Sequence, residues 1–531
     1  MRKMSYSTML QFAFLLLCSI SWASASHPSR GDFVQCLLNY TDSPSYFAKA
    51  IYTQNSSSFT SVLDNYIHNL RFLLPEVPKP LVIITALTEN QIQTAIFCSK
   101  KYRLQMRIRS GGHDFEGSSY TSNVPFFVLD MSNFRSISID VKGQTAWVGA
   151  GATVGEVYYS IYEANSTLGF PAAYCPTVGI GGHISGGGYG PLVRQFGLAA
   201  DNVIDARVID ANGTVLDRKS MGEDLFWAIR GGGGASFAAI LGYKLKLVEI
   251  PEKVTVFSIN RTWEQNATQL LYKWQYIAPK LPLNLVITPQ IVSINSNQTG
   301  KGTVQVTFVS VFRGEVDELL SIMTQQFPEL GLKKEDCTEM LWIQYFAYAS
   351  GLPTSNITES LTSRVSSAKL YYKAKSDFVK EPIPEKGIEE ILAKLNELPP
   401  FMGMLEWNHF GGGVMETIPE SATPFPHRGN LYLMCEGVSW DEQVVSKQRI
   451  DWLRKLYKVI GKYVPNNPRA AYANSRDLDL GVNNKGITSV EKARIWGAPY
   501  FKNNFDRLVQ VKTKVDPYNF FKNEQSIPIS Q

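Results

Sequence analysis

Beyond its first 26 residues the sequence has no apolar run approaching the ~20 residues that a membrane-spanning helix requires. That excludes a membrane-integral mature chain. It also lacks a basic block: 52 Lys and Arg against 47 Asp and Glu leave a net charge of +5 over 531 residues, too little and too dispersed for a dedicated nucleic-acid binder. No low-complexity segment and no solenoid-length repeat occurs. The glycine clusters match neither the dinucleotide fingerprint G-x-G-x-x-G nor the P-loop G-x-x-x-x-G-K-[ST], so a Rossmann or Walker site is not expected. No metal centre is expected. Cysteine is sparse, with six residues in all, and Cys18 falls within the first 26.

That leading segment reads as a signal peptide. Arg2 and Lys3 precede an apolar stretch from Met9 to Ile20, and Ala23-Ser24-Ala25 supplies the small residues of a cleavage site. Eight Asn-x-Ser/Thr sequons, at Asn39, Asn55, Asn165, Asn212, Asn260, Asn266, Asn297 and Asn356, fit passage through the secretory pathway and predict that these asparagines lie on the surface. Secretion to the cell exterior or delivery to the vacuole follows. Five cysteines remain after the leader, an odd number, so at least one does not form an internal pair. Cys36 and Cys98 sit in helix-like segments ahead of the first glycine motif and are expected to pair; Cys175, Cys337 and Cys435 are left over.

The length calls for two domains. Residues 31–75 read as helical, broken by Pro75, Pro78 and Pro80. A strand over 81–87, a helix over 89–102 and a strand over 105–109 then form a β-α-β start that ends in a glycine turn, suited to holding an anionic ligand. Mixed α/β pattern continues to about residue 250. Alternating strands with amphipathic helices near 315–326 and 386–397 mark a second domain over 251–480, and 481–531 returns to the first. The overall class is α+β.

Three glycine segments carry the chemistry. "RIRSGGHDFEGSSY" (107–120) places His113 directly after Gly111 and Gly112, and "YCPTVGIGGHISGGGYG" (174–190) is denser still. "IRGGGGASF" (229–237) is the third. Glycines let a backbone approach a ligand and turn N–H groups onto phosphate, so three separated segments imply an extended cofactor lying along the domain.

Together with "GLAADNVIDARVID", "DLFWAIRGGGGASF", "YANSRDLDLG" and "NNFDRLVQVKTKVDPYNFFKNEQSIP", these motifs resemble the plant berberine-bridge-enzyme-like flavoproteins of the vanillyl-alcohol-oxidase and cresol-methylhydroxylase superfamily. The resemblance spans about 33–528. It implies a split FAD-binding domain and an antiparallel-sheet substrate domain covered by helices. It also implies FAD bonded covalently through two residues, His113 to the flavin 8-methyl carbon and Cys175 to C6. Ser110, Gly111, Gly112, Asp114, Val178, Gly179, Gly182, His183, Gly186 and Gly187 complete the expected cofactor set. A small residue at the Val178 position goes with oxygen access in the family, which implies O2 as acceptor. His183 reads as a structural hydrogen-bonder within its loop.

The substrate side departs from the family pattern. Phe115 stands where a tyrosine is usual, Ser475 replaces the tyrosine of an Asn-Tyr-Arg-Asp-Leu-Asp stretch, and Leu433 and Cys435 occupy strand positions that elsewhere carry Glu, Gln or Lys. Alternation puts Leu433 and Cys435 on one face and Met434 and Glu436 on the other, although a one-residue slip would bring Glu436 inward. Tyr189 matches a retained active-site tyrosine. The catalytic candidates are therefore Tyr189, Cys435, Glu436, Ser475 and Phe115, with Glu406 and His409 as further sources of a base. The reading is an FAD-dependent oxidase of a plant phenolic, an alkaloid-like compound or a related small natural product, yielding H2O2. A carbohydrate oxidase is one alternative. Another is a redox-neutral FAD-bound cyclase performing an intermolecular [4+2] (Diels–Alder) cycloaddition, which needs orientation of apolar partners more than a base. No nucleic-acid or membrane partner is expected, and the chain is expected to act as a monomer.

Overall fold

Apolar runs that are buried along nearly their whole length build the first sheet. Val82–Thr85, Phe126–Asp130 and Gln105–Arg109 lie side by side as parallel strands. The computed structural model describes residues 30–530 apart from 297–299, 366–368, 485 and 487, so the leader and the sequon at Asn297 lie outside the described residues. The connecting helix Glu89–Lys101 starts at Thr88, whose side chain accepts the Gln91 N–H, and ends with Lys100 and Lys101 against the negative end of its dipole. Within the span read as helical, Ile51–Thr53 instead forms a strand antiparallel to Val82–Thr85. Its three residues are too few to show a period, and pairing with an available sheet edge decides their conformation.

Cys36 on helix Arg30–Asn39 is bonded to Cys98 on helix Glu89–Lys101, closing a sequence separation of 62. Replacing both with serine is expected to cost about 2–5 kcal/mol of unfolding free energy, mostly through the freed unfolded chain. A chemical-denaturation midpoint equal to wild type would show that packing alone holds these helices together.

A second, antiparallel sheet runs Ile137–Asp140, Thr145–Gly149, Ala239–Lys246, Val203–Ile209, Val215–Leu216. Its core includes Val148, Phe226, Trp227 and Tyr243, and also Trp496, Phe505 and Leu508 from the helices Val490–Phe501 and Asn504–Val515. The last segment of the chain thus packs into a core built mainly by residues 146–250.

Seven antiparallel strands form the third sheet, in the order Cys337–Leu341, Lys253–Thr262, Gly302–Phe312, Leu285–Asn295, Gly403–His409, Tyr432–Trp440, Tyr371–Val379. Helices Ala267–Ile277, Glu385–Leu395 and Ser446–Ile460 cover one face over a core containing Trp274, Trp407 and Leu453. The other face turns toward the glycine loops. The helix Trp342–Ala349 departs from this unit: Trp342 and Phe346 pack into the second sheet's core, with Phe346 stacked on Tyr158 at 3.7 Å. The architecture is α+β, with mixed and antiparallel sheets set against a helix-covered antiparallel sheet.

Among the described residues no helix is long and apolar enough to cross a membrane. Of the seven described sequon asparagines, Asn165 is half-buried and the other six are exposed.

Candidate active site

The strand Gln105–Arg109 delivers Ser110–Asp114 to the edge of the first sheet, where it meets the loop 175–179. The approach requires glycine on both sides. A Cβ on Gly111 would lie 2.3 Å from the Gly179 nitrogen, and one on Gly179 would lie 2.2 Å from the Gly111 nitrogen. Ser110 Oγ donates to the Ala150 carbonyl at 2.6 Å and ties the loop to the second sheet.

This contact brings His113 and Cys175 to a common neighbour. His113 Nε2 shares a hydrogen bond with Thr177 Oγ1 at 2.9 Å, and Cys175 Sγ lies 3.5 Å from the same oxygen. Burial, then the neighbouring His68, pushes the His113 pKa down to about 3, so its imidazole is neutral. Cys175 is exposed. Among the described residues the backbone N–H groups of Gly111, Gly112 and His113 find no hydrogen-bond partner, and Gly182, exposed in helix Ile180–Ser185, has no atom within 4 Å of the place a Cβ would occupy. Free donors and bare backbone beside two nucleophilic side chains suit an anionic cofactor that spans both loops.

The rest of the expected cofactor set is built into the protein. Asp114 Oδ1 accepts the N–H groups of Glu116 and Ser118, and Oδ2 accepts from Arg476 Nε at 2.7 Å. Its carboxylate therefore shapes the loop and docks the 474–480 segment. His183 Nε2 accepts the Ala173 N–H at 3.2 Å, and burial lowers its pKa to about 4. Gly186 makes room for Asn474, whose Oδ1 would lie 2.1 Å from a Cβ there, and Gly187 adopts φ +111°. Val178 is half-buried, its carbonyl accepting the Val154 N–H at 2.8 Å.

Opposite stands the open face of the third sheet. Cys435 pairs laterally with Glu406 on one side and Ser376 on the other, and Glu406 pairs with Gln290, so all four side chains share one face. Tyr189 Oη and Cys435 Sγ are 3.6 Å apart, Asn408 Nδ2 donates to Cys435 Sγ at 3.9 Å, and Ser475 is close enough to influence the thiol's ionisation. Leu433 joins Tyr189, Phe378, Phe410, Phe425 and Tyr472 in an apolar cluster beside it. His113, Tyr189, Glu406 and Cys435 keep some accessible surface although protein surrounds each of them, and so border an internal cleft.

Two candidate bases lie on the wrong face. Glu436 falls between Leu405 and Lys375 and sits with Asp377, itself paired to Arg469 at 2.6 Å. Strand alternation without a slip puts it under the helices, where burial holds it protonated. His409 likewise packs against Trp274, at 6.0 Å between ring centres. Glu406 is left as the carboxyl on the cleft side of its strand. Burial raises its pKa, and its charge is felt by Cys435, Tyr189, Tyr174 and Tyr345.

Sequence reasoning passed over two cleft residues. Tyr372 meets Phe115 edge-on at 5.7 Å and lies near Cys175, supplying a phenol beside the position where Phe115 lacks one. His68 stacks on His113. A period-2 reading of 371–379 would have placed Tyr372 on the Ser376 face, but nothing local marks His68. Behind this wall, Lys373 is shared between Glu116 and Asp477, and Lys375 bonds Asp477 at 2.5 Å, tying the edge strand to both segments that carry Phe115 and Ser475.

Comparison with known proteins gives the family of the chain and of its fold. Residues 80–218 match the FAD binding domain family, and 471–528 match the family described as "Berberine and berberine like". Berberine bridge enzyme-like 8 of Arabidopsis thaliana is 46% identical, with 99% of this chain and 100% of that protein covered. A tetrahydroberberine oxidase of Argemone mexicana is also 46% identical, over 99% and 96%. The solved structure of BBE-like 28 from Arabidopsis thaliana superposes with a TM-score of 0.88 at 44% identity, covering 94% of this chain and all of that one.

Proposed function

The chain belongs to the berberine bridge enzyme-like family of FAD-dependent oxidoreductases, and on that footing we propose that it is a secreted oxidase. It takes two electrons from an aromatic natural product, a phenolic alcohol or an alkaloid-like compound, and passes them to O2 with release of H2O2. The observation that carries this reading is the convergence of His113 and Cys175 on Thr177, facing a cleft in which Glu406 is the available carboxyl. Bound FAD supplies the two-electron acceptor, and His113 and Cys175 are the residues that hold it covalently. His113 Nε2 is engaged by Thr177, which leaves Nδ1 for that bond.

The protein's own groups divide the remaining work. Tyr189 and Cys435 have pKa values raised by burial, so both stay protonated at physiological pH and serve to orient substrate. Glu406 accepts the proton released when a substrate hydroxyl becomes a carbonyl. It thereby fills the role whose apparent vacancy motivates the cycloaddition alternative. Phe115, Tyr372, Tyr174 and Tyr189 place aromatic rings near Cys175, Glu406 and Cys435, which favours a flat aromatic substrate over an oligosaccharide. The tetrahydroberberine oxidase relative supports the same class.

The test is anaerobic flavin absorbance against a panel of monolignols, prenylated phenols, tertiary-amine alkaloids and oligosaccharides, followed by admission of air. Bleaching and recovery with an aromatic member supports the reading. Product formation from a diene and a phenolic partner without bleaching overturns it in favour of the cyclase. Val178→Ile adds bulk at the position assigned to oxygen access; it is expected to slow reoxidation by air about tenfold or more while leaving the anaerobic bleaching rate unchanged. Equal slowing of both phases would remove Val178 from the oxygen path.

A further inference from the structure

His68 lies outside every glycine motif, yet its ring stacks on His113 with centroids 4.0 Å apart and planes 27° from parallel. Its Nε2 is 3.0 Å from the Gly111 carbonyl. A carbonyl only accepts, so Nε2 carries the proton and Nδ1 is a bare lone pair. That lone pair is buried without a partner, a cost the fold accepts to keep an imidazole here. The ring is firmly held: Ile67 and Asn69 on either side are 1% and 0% exposed, and Asn69 Nδ2 donates to the Tyr372 carbonyl at 2.9 Å.

Two contacts then define the attitude of His113. Stacking fixes the plane of its ring, and Thr177 fixes which in-plane direction Nε2 takes. The remaining nitrogen, Nδ1, has one direction left. We propose that His68 is a positioning residue for covalent attachment of the flavin, holding His113 so that Nδ1 meets the 8-methyl carbon. This rests on the reading of His113 as an anchor. In the attachment, an N–C bond replaces one hydrogen of the methyl group and the imidazole N–H. Both protons leave, the two electrons pass to the isoalloxazine, and O2 then removes them as H2O2. Burial and the adjacent His68 both keep His113 neutral, as a nucleophile must be.

The test compares purified wild-type holoprotein with His68→Ala, His68→Phe and His68→Gln. Mass spectrometry of the flavin-bearing peptides quantifies the His113 and Cys175 linkages separately, with no turnover required. His68→Ala is expected to lower the fraction linked at His113 about tenfold while the Cys175 linkage persists. His68→Phe, which keeps a flat ring against His113, is expected to restore most of it. An unchanged His113 fraction in the alanine variant overturns the proposal. Should alanine lose both linkages and its melting transition, the other pair decides: linkage in Phe but not in Gln supports the stack, and equal linkage in both overturns it. Wild-type protein with no flavin on His113 would instead refute the anchor reading itself.

Discussion

Glu406→Gln is expected to lower kcat for a hydroxylated substrate by about 10²–10⁴-fold, the usual contribution of a positioned general base. Glutamine keeps the shape of the side chain but cannot take a proton. The dependence on pH gives a second readout. Burial favours the neutral acid and raises the Glu406 pKa, so its ionised form accumulates only above the ordinary carboxylate range. Activity should therefore rise with pH through that raised value, and the limb should vanish in the glutamine variant. Glu436→Gln serves as the control, because Glu436 lies behind the sheet: it should leave both kcat and the acid limb in place. A wild-type acid limb in Glu406→Gln would move the base elsewhere.

Combined replacement of both anchors, His113→Ala with Cys175→Ala, is expected to abolish acid-stable flavin and with it nearly all turnover. Wild-type protein precipitated in acid should stay yellow; the double variant should release its flavin to the supernatant. Each single variant should retain colour through the other residue. The cofactor potential should fall with each bond lost, since electron-withdrawing substituents on the ring make it a better acceptor. Complete release from wild type would show that the two loops hold flavin by contacts alone.

Much of this site can be read in the sequence because its signals are local. The glycines around His113 and Cys175 are required where Gly111 and Gly179 come into backbone contact, and their spacing survives as a motif. The Gln105–Arg109 strand is bounded by clear punctuation and falls where its pattern puts it. Period-2 alternation separates Leu433 and Cys435 from Met434 and Glu436. What alternation cannot supply is which set faces the cleft, and that depends on helices folded over the other side. Glu406 and His409 show the same limit: they sit three positions apart on one strand, equal as candidate bases until the sheet acquires an inside. His68 is harder still. It occupies a stretch whose spacing reads as amphipathic helix, and its partners arrive from the 111–113 turn by a long-range contact with no sequence trace.

The buried lysines of the edge strand bear on how the molecule is made. The bond from Arg476 to Asp114 spans 362 residues, and Lys373 joins Glu116 to Asp477 across the same gap. At ~5–20 residues per second, translation needs about 20–70 s to cover that distance. During this interval the turn bearing His113 exists without the charges that later close over it. The contacts that fix the loop bearing Asp114 and Glu116 from the side of Arg476 and Asp477 are therefore among the last that the growing chain can make.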